Sequence, residues 1–237
     1  MNEPQAAASV IVVRDGIDGI EVFMVKRSAR SAFMPAAYVF PGGRVEPIDR
    51  SPAAVARLSG QAGPGDPALT YCAARETFEE SGILLATPSV DSHAVRAARR
   101  RLLAGEQTFE ATLDSLATRI DAAALISFSR WITPPAVTVR RFDTRFFIAR
   151  MPAGQLAEAD AVETSDGVWI RPPDALAADG TDFALVFPTL KHLARIAPFR
   201  TVDALLVFAR AKAIVPITPD VEDGMVFSLP RGMEDAW

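Results

Sequence analysis

One run of eight residues concentrates the chain's reactive side chains: Arg75-Glu76-Thr77-Phe78-Glu79-Glu80-Ser81-Gly82. On a helix, Glu76, Glu79 and Glu80 stand at i, i+3 and i+4 and share one face, while Ala73, Ala74 and Phe78 serve the packed side. Three carboxylates so close repel one another and destabilise a solitary helix. A hard divalent cation removes that penalty. Magnesium takes oxygen ligands, keeps several waters and bridges carboxylates to substrate phosphates. A lone glutamate cluster is otherwise a solvated acidic face. The surroundings favour the chemical reading, because a strand ending in Pro41-Gly42-Gly43 lies upstream and Ser81-Gly82 closes the run. By composition alone, the spaced set Arg-Glu-x-x-Glu-Glu-x-Gly arises in roughly one chain of this length in several thousand.

Elements on either side must hold this helix. Pro67 opens it, Asp66 is placed to cap its first turn and Gly82 to stop it, which predicts a helix over about 68–81. The β-rich runs 8–14 and 20–26, joined by Asp15-Gly16-Ile17-Asp18-Gly19, predict a hairpin. A third run, Ala37 to Phe40, ends at Pro41-Gly42-Gly43, and a specially shaped loop is expected there. Residues 47–67 are rich in Pro and Gly and read as a loop, with a short helical turn at 52–58. Two amphipathic helices follow, Ala94 to Leu103 and Phe109 to Ile120. Strands are expected at Leu125 to Thr133, Thr144 to Met151 and 168–171, helices at about 174–178, 187–197 and 202–212, and a hairpin around Asp223-Gly224. Strands and helices alternate without a clean βαβ period. The fold class is therefore α/β in the α+β sense, a mixed sheet flanked by helices and not a doubly wound parallel one.

Of the 237 residues, 49% are hydrophobic and 23% charged, with 25 Lys plus Arg against 29 Asp plus Glu and a net charge of -4. This mild acidity argues against nucleic acid as a partner. No apolar stretch approaches the roughly 18–20 residues that cross a bilayer, so no membrane partner is expected. The absence of a signal-like N-terminus makes a cytoplasmic location the expectation. A single cysteine, Cys72, excludes an internal disulfide framework and reads as a small buried residue.

With these residues in view, the chain resembles the Nudix hydrolases. Their signature is Gly, five residues, Glu, seven residues, then Arg-Glu-apolar-x-Glu-Glu-x-Gly-apolar. Gly43 matches the first Gly, and Arg75 to Ile83 match the second half. Asp49 stands where the family has Glu, Thr77 where it has an aliphatic residue, and 25 residues separate Asp49 from Arg75. The long insertion is similar to that of a subgroup including the mammalian peroxisomal coenzyme A diphosphatase. So are Val39-Phe40-Pro41-Gly42-Gly43, preceded by Phe33-Met34-Pro35, and Trp131-Ile132-Thr133-Pro134 with Arg141-Phe142-Asp143-Thr144-Arg145-Phe146. Ser28 and Phe-Pro-Gly-Gly match part of a further upstream signature found in many coenzyme A diphosphatases, whose Arg and Gly fall on Ala32 and Ala36 here.

The resemblance implies a helix-sheet-helix sandwich. It implies one domain over 1–237, with a loop insertion at about 50–66, a helical insertion at about 88–124 and a helical and tail extension at about 187–237. The activity implied is hydrolysis of a nucleoside diphosphate linked to another group, with Mg2+ or Mn2+ as cofactor and coenzyme A or an acyl-CoA as a plausible substrate. Glu76, Glu79, Glu80 and the Gly43 carbonyl would hold the metal, and Arg75 would orient the carboxylates. The general base is either a signature glutamate or an acid of the stretch holding Glu158, Asp160, Glu163 and Asp166, with Glu163 the distal candidate. Homodimers are common in the family, so a homodimer is an open expectation.

Several basic residues could meet phosphate: Lys26, Arg27, Arg30 and Arg44 by the signature loop, and Arg140, Arg141 and Arg145 before a strand. For the second group, contact with substrate competes evenly with salt bridging to acids such as Asp143. Phe142 or Trp131 could stack on an adenine, although an aromatic on a strand is more often core. Arg99, Arg100 and Arg101 read as a solvated helix face or an oligomer contact, and His93 and His192 as surface or packing residues. Two other functions compete with the hydrolase: a Nudix-fold binding or regulatory module without turnover, and a scaffold assembling through 91–120. The intact glutamate triad argues against loss of turnover, whereas Asp49 and the long insertion argue mildly for it.

Overall fold

The computed structural model describes residues 3–28, 35–60, 65–137, 140–160, 164–222, 226–234 and 237. The expected hairpin forms and runs longer than its apolar core. β1 (Gln5–Gly16) and β2 (Gly19–Arg27) pair antiparallel from Val13↔Val22 to Gly16↔Gly19. β1 is buried without a break from Ala7 to Val13, as befits a central strand covered on both faces. β3 (Tyr38–Val39) pairs with β2, and β4 (Gly42–Arg44) with β1. The loop expected at Pro41-Gly42-Gly43 is thus largely a short strand. Its approach to β1 is what requires glycine, since a Cβ on Gly42 would lie 2.4 Å from the Ala8 carbonyl oxygen.

The segment read as a loop also contains ordered pieces: a 3-10 turn at Pro47–Arg50, α1 (Pro52–Val55) and β5 (Leu58–Ser59). α2 (Pro67–Ser81) starts and stops as its signals predict. The Asp66 carboxylate accepts from the Ala68 amide, and Gly82 turns left-handed at φ 73°. β6 (Ala86–Thr87), α3 (Ser92–Leu103), α4 (Phe109–Ser115) and β7 (Arg119–Asp121) follow. The helix expected to reach Ile120 therefore ends earlier. Ala117 takes φ 51°, Ala117 N donates to Asp114 O and Thr118 N to Leu113 O, which is a Schellman ending made without glycine. The released residues form β7, which pairs with β5 and β6 in a small separate sheet.

β8 (Ile126–Ile132), β9 (Phe142–Arg150), β10 (Thr164–Ile170), α5 (Pro172–Ala178), α6 (Phe187–Ile196), α7 (Val202–Ala211), β11 (Pro216–Ile217), β12 (Asp220–Glu222) and β13 (Val226–Ser228) complete the chain. β12 and β13 pair antiparallel, while the expected turn at Asp223-Gly224 lies outside the described residues. The main sheet runs β10-β2-β1-β9-β8-β11, with β1 and β9 parallel and β8 and β9 antiparallel. Its faces divide by strand alternation. Val10, Val12, Phe23, Phe147 and Ala149 pack toward α2 and the insertion helices, and Ile11, Val13, Met24, Phe146 and Ile148 toward α5, α6 and α7. This is the helix-sheet-helix sandwich. Among the described residues no helix is long and apolar enough to cross a membrane.

The face away from α2 encloses a histidine. His192 is fully buried among Phe40, Phe128, Trp131, Phe146 and Trp237. Its Nδ1 lies 2.6 Å from the Pro188 carbonyl and its Nε2 2.6 Å from Ser129 Oγ. A carbonyl can only accept, so Nδ1 carries the proton and Nε2 accepts from the serine. Trp131, considered above for stacking on adenine, is part of this core at 3% exposure. Burial, aided by the charge of Lys212, pushes the His192 pKa down to about 3. The neutral form is the one the fold accommodates. The resulting stability is complete above the unfolded pKa of about 6.5 and is lost as pH falls from there toward 3, with a slope of about 1.4 kcal/mol per pH unit. Urea unfolding between pH 7 and 4 should show this slope for the wild type and lose it in His192→Gln. An identical slope in the variant would assign the acid sensitivity to other groups.

Candidate active site

Arg75 organises the site from the middle of α2. It is 8% exposed. Its Nε and Nη2 donate to the two oxygens of Asp49 at 2.8 and 3.0 Å, and Nη1 faces Glu76 Oε1 at 2.9 Å and Glu79 Oε2 at 3.0 Å. Asp49 is fully buried and reaches Arg75 because the 3-10 turn carries it inward, where the Glu46 amide also donates to its Oδ2 at 2.8 Å. The shorter acid is thus accommodated by the turn beneath it. Burial opposes the charge on Arg75. The hydrogen bonds to Asp49 and the fields of Glu76 and Glu79 outweigh that penalty and hold the guanidinium pKa above its ordinary value.

β4 closes the site on the opposite side. A Cβ on Gly43 would lie 2.5 Å from the Glu76 carboxylate carbon, so that carboxylate occupies the space of a side chain. The Gly42 amide donates to Glu80 Oε2 at 2.9 Å. Cys72, buried as expected, lies 3.3 Å from the Arg44 carbonyl and helps dock α2 on β4. Burial and the charge of Glu76 push its thiol pKa up, away from reactivity.

Among the described residues no three acidic, histidine or cysteine side chains converge as a closed metal cage does. Glu76 and Glu79 lean on Arg75 and Glu80 on Gly42. The donors nevertheless fit a hard divalent cation: carboxylates from neighbouring turns of one helix beside a close-packed glycine backbone. Magnesium needs only one or two carboxylates when waters and phosphate oxygens supply the rest.

The basic residues separate by position. Arg44 is exposed and pairs with Glu46 at 3.1 Å, and Arg140 is exposed. Arg141 donates to the Thr133 carbonyl. Register puts Arg145 beside Ala8 and Ala8 beside Gly43, so Arg145 and Gly43 flank one residue of β1. Alternation from Phe147 and Ala149 turns Arg145 and Asp143 to the α2 face and Phe142 to the other. Arg130, not singled out from the sequence, stands opposite Arg145 and forks onto Asp143 at 2.9 and 2.6 Å. The Arg145 backbone is paired on both sides, with β1 and with β8, and its side chain lies in the field of Asp143, whose carboxylate is forked by Arg130. Burial and then the field of Arg130 hold the Arg145 pKa below the ordinary arginine value, against the opposing field of Asp143. Glu163 lies outside the described residues. Arg99, read as solvated, is instead buried beneath the end of α2. No local pattern announces this, because its partners are distant in sequence.

A sequence model of the NUDT19 Nudix domain matches residues 53–196, more than half of the chain. The chain belongs to the Nudix hydrolase family. That match includes the whole of α2 and begins after Gly43 and Asp49. The hydrolase is 30% identical to the acyl-coenzyme A diphosphatase NUDT19 of Xenopus laevis over 266 residues, covering 89% of this chain and 70% of that one. It is 26% identical to the human acyl-coenzyme A diphosphatase NUDT19 over 268 residues, covering 90% and 72%. A crystal structure of a Nudix hydrolase from Alicyclobacillus acidocaldarius, 27% identical, superposes with a TM-score of 0.72 over 87% of this chain and 97% of that one. The protein is therefore an enzyme, a Nudix hydrolase acting on diphosphate bonds in the branch that holds the NUDT19 proteins.

Asp49→Ala leaves the Arg75 charge buried without its fork. It should lower the unfolding free energy by about 3–5 kcal/mol, read from urea denaturation. A loss under about 1 kcal/mol would mean that Glu76 and Glu79 alone satisfy the guanidinium.

Proposed function

We propose that this Nudix hydrolase cleaves the diphosphate of coenzyme A or an acyl-coenzyme A, releasing an adenosine bisphosphate and a phosphopantetheine or its acyl form. The observation that carries this reading is the carboxylate face of α2 packed on Gly42-Gly43 around Arg75, joined to sequence similarity with the acyl-coenzyme A diphosphatases. Glu76, Glu79 and Glu80, with the Gly43 carbonyl, would hold Mg2+ or Mn2+. A divalent cation bound there neutralises diphosphate oxygens and lowers the pKa of an attacking water.

The residues divide the remaining work. Arg75 orients Glu76 and Glu79 through charge-assisted contacts. Arg145, on the same sheet face, receives the diphosphate, with Arg44, Arg140 and Arg141 as outer contacts; Phe142, which alternation turns to the other face, is given no part in binding the base. A water oxygen bonds to phosphorus as the bridging P–O bond breaks. The water's proton passes to a carboxylate, either a signature glutamate (Glu79 or Glu80) or the distal Glu163. The small molecule is the only partner this scheme needs, and a homodimer is compatible with it.

The test is product analysis by mass spectrometry with coenzyme A, an acyl-CoA, ADP-ribose, NADH and a nucleotide sugar, each with magnesium and with manganese. Coenzyme A or acyl-CoA should be split at the diphosphate by the wild type and not by Glu80→Gln. Preferential cleavage of another compound would reject the coenzyme A assignment, and cleavage of none by folded, metal-binding protein would favour the binding-module reading. In the same assay Arg145→Ala should raise KM about 10-fold through loss of a charged hydrogen bond. Unchanged KM would place Arg145 outside the substrate site.

A further inference from the structure

We infer that Arg99, on the inserted helix α3, is a positioning residue of the diphosphate site, clipping the acidic segment 155–160 onto the C-terminal end of α2. This rests on the proposed site of hydrolysis on α2. The last carbonyls of a helix have no partners within it. In α2 the Phe78 carbonyl receives the Gly82 amide, and those of Glu79 and Ser81 are met from outside the helix. Arg99 Nε and Nη2 both donate to the Glu79 carbonyl, at 3.2 and 2.8 Å, and the Glu158 amide donates to the Ser81 carbonyl at 2.8 Å. Arg99 Nη1 then returns to the Glu158 carbonyl at 2.8 Å. One guanidinium thus joins the backbone of a signature glutamate to the backbone of the acidic segment.

Two further contacts complete the strap. The Gln155 side chain accepts from the Leu84 amide at 2.8 Å and donates to the Leu84 carbonyl at 2.9 Å. Asp160 Oδ1 accepts from the amide and hydroxyl of Thr164, where β10 begins. Gly82 makes room for the clip, since a Cβ there would lie 3.0 Å from Arg99 Nη1. The acids whose fields act on Arg99 are Asp160, Glu158 and Glu80. Glu80 is a proposed metal ligand, whereas Asp160 and Glu158 belong to the strap. Without a cation between them, these like charges push the strap off the helix. Arginine is specific here, because its planar fork serves carbonyls in two segments at once and an ammonium does not reproduce that geometry.

A structural clip and a positioning residue predict different results. Arg99→Lys keeps the charge and loses the fork. Gln155→Ala loosens the strap from its other end without touching α3 or the charges. Hydrogen exchange followed by mass spectrometry, on protein without metal or substrate, reads the strap directly. Turnover of coenzyme A with manganese reads its consequence. We expect faster exchange at 155–160 in both variants, unchanged exchange in α6 and α7, and kcat lower by about 10- to 100-fold, as for other supporting contacts to ligating residues, with KM near the wild-type value. Unchanged strap exchange in Arg99→Lys overturns the inference. So does faster exchange with wild-type kcat, which would make Arg99 a structural clip alone. A wild type that cleaves no compound of the panel overturns the hydrolytic reading itself, and is recognised before any variant is compared.

Discussion

The site depends on one buried cation. Taking an arginine out of water costs several kcal/mol unless its donors are satisfied, and Arg75 is satisfied only when loop and helix are both in place. Its fork pulls in Asp49 from 26 residues upstream, while its remaining nitrogen gathers Glu76 and Glu79 from its own helix. The position of Glu76 then dictates the residue opposite, because the carboxylate fills the volume of any side chain at 43. Gly43 is thus required by a contact made 33 residues later, and that contact is required by Arg75. The chain of necessity runs from the guanidinium to the carboxylates, then to the glycine backbone and the docking of β4 on β1.

The same helix accepts an electrostatic disadvantage for its task. Glu79 and Glu80 occupy the last turn of α2, where the helix dipole is negative and favours cations. Neighbouring acids add repulsion. Stability alone would select Lys or Arg there. The fold supplies the missing positive charge from outside the helix: Arg75 on the inner side and Arg99 from α3 at the exposed carbonyls. Local rules broken within an otherwise consistent structure are a physical mark of a working site.

What could be read directly from residues was what short-range physics determines. α2 was legible in full because Asp66, Pro67 and Gly82 each act within one turn. The β1–β2 hairpin was legible from its apolar runs, and the glutamate face from helical spacing. Three features were not. β4 is a strand only because β1 lies beside it, and Pro-Gly-Gly read in isolation is a loop. The stop of α4 uses Ala117 at positive φ, where sequence offers no glycine to signal it. Arg99 sits in a run of three arginines that looks solvated, and its burial depends on carbonyls 20 and 59 residues away.

The 25 residues between Asp49 and Arg75 lengthen the connection between two halves of a site that must meet within hydrogen-bond distance. Lengthening the connection from the family's seven residues to 25 raises the closure entropy by only about 1 kcal/mol. Part of that is offset inside the insertion, where α1 buries Ala54 in the α2-side core and β5 pairs with β7. The two ends are also joined directly, since Arg50 meets Asp66 at 2.5 Å. That pair is half exposed and contributes little energy by itself. Its importance is geometric, because Arg50 follows Asp49 and Asp66 caps α2, so the loop leaves and returns at one point. Breaking the buried fork of Arg75 and Asp49 costs several times the entropy of the longer loop. The signature therefore tolerates an insertion of this length wherever the turn at 47–50 and the cap of α2 stay adjacent.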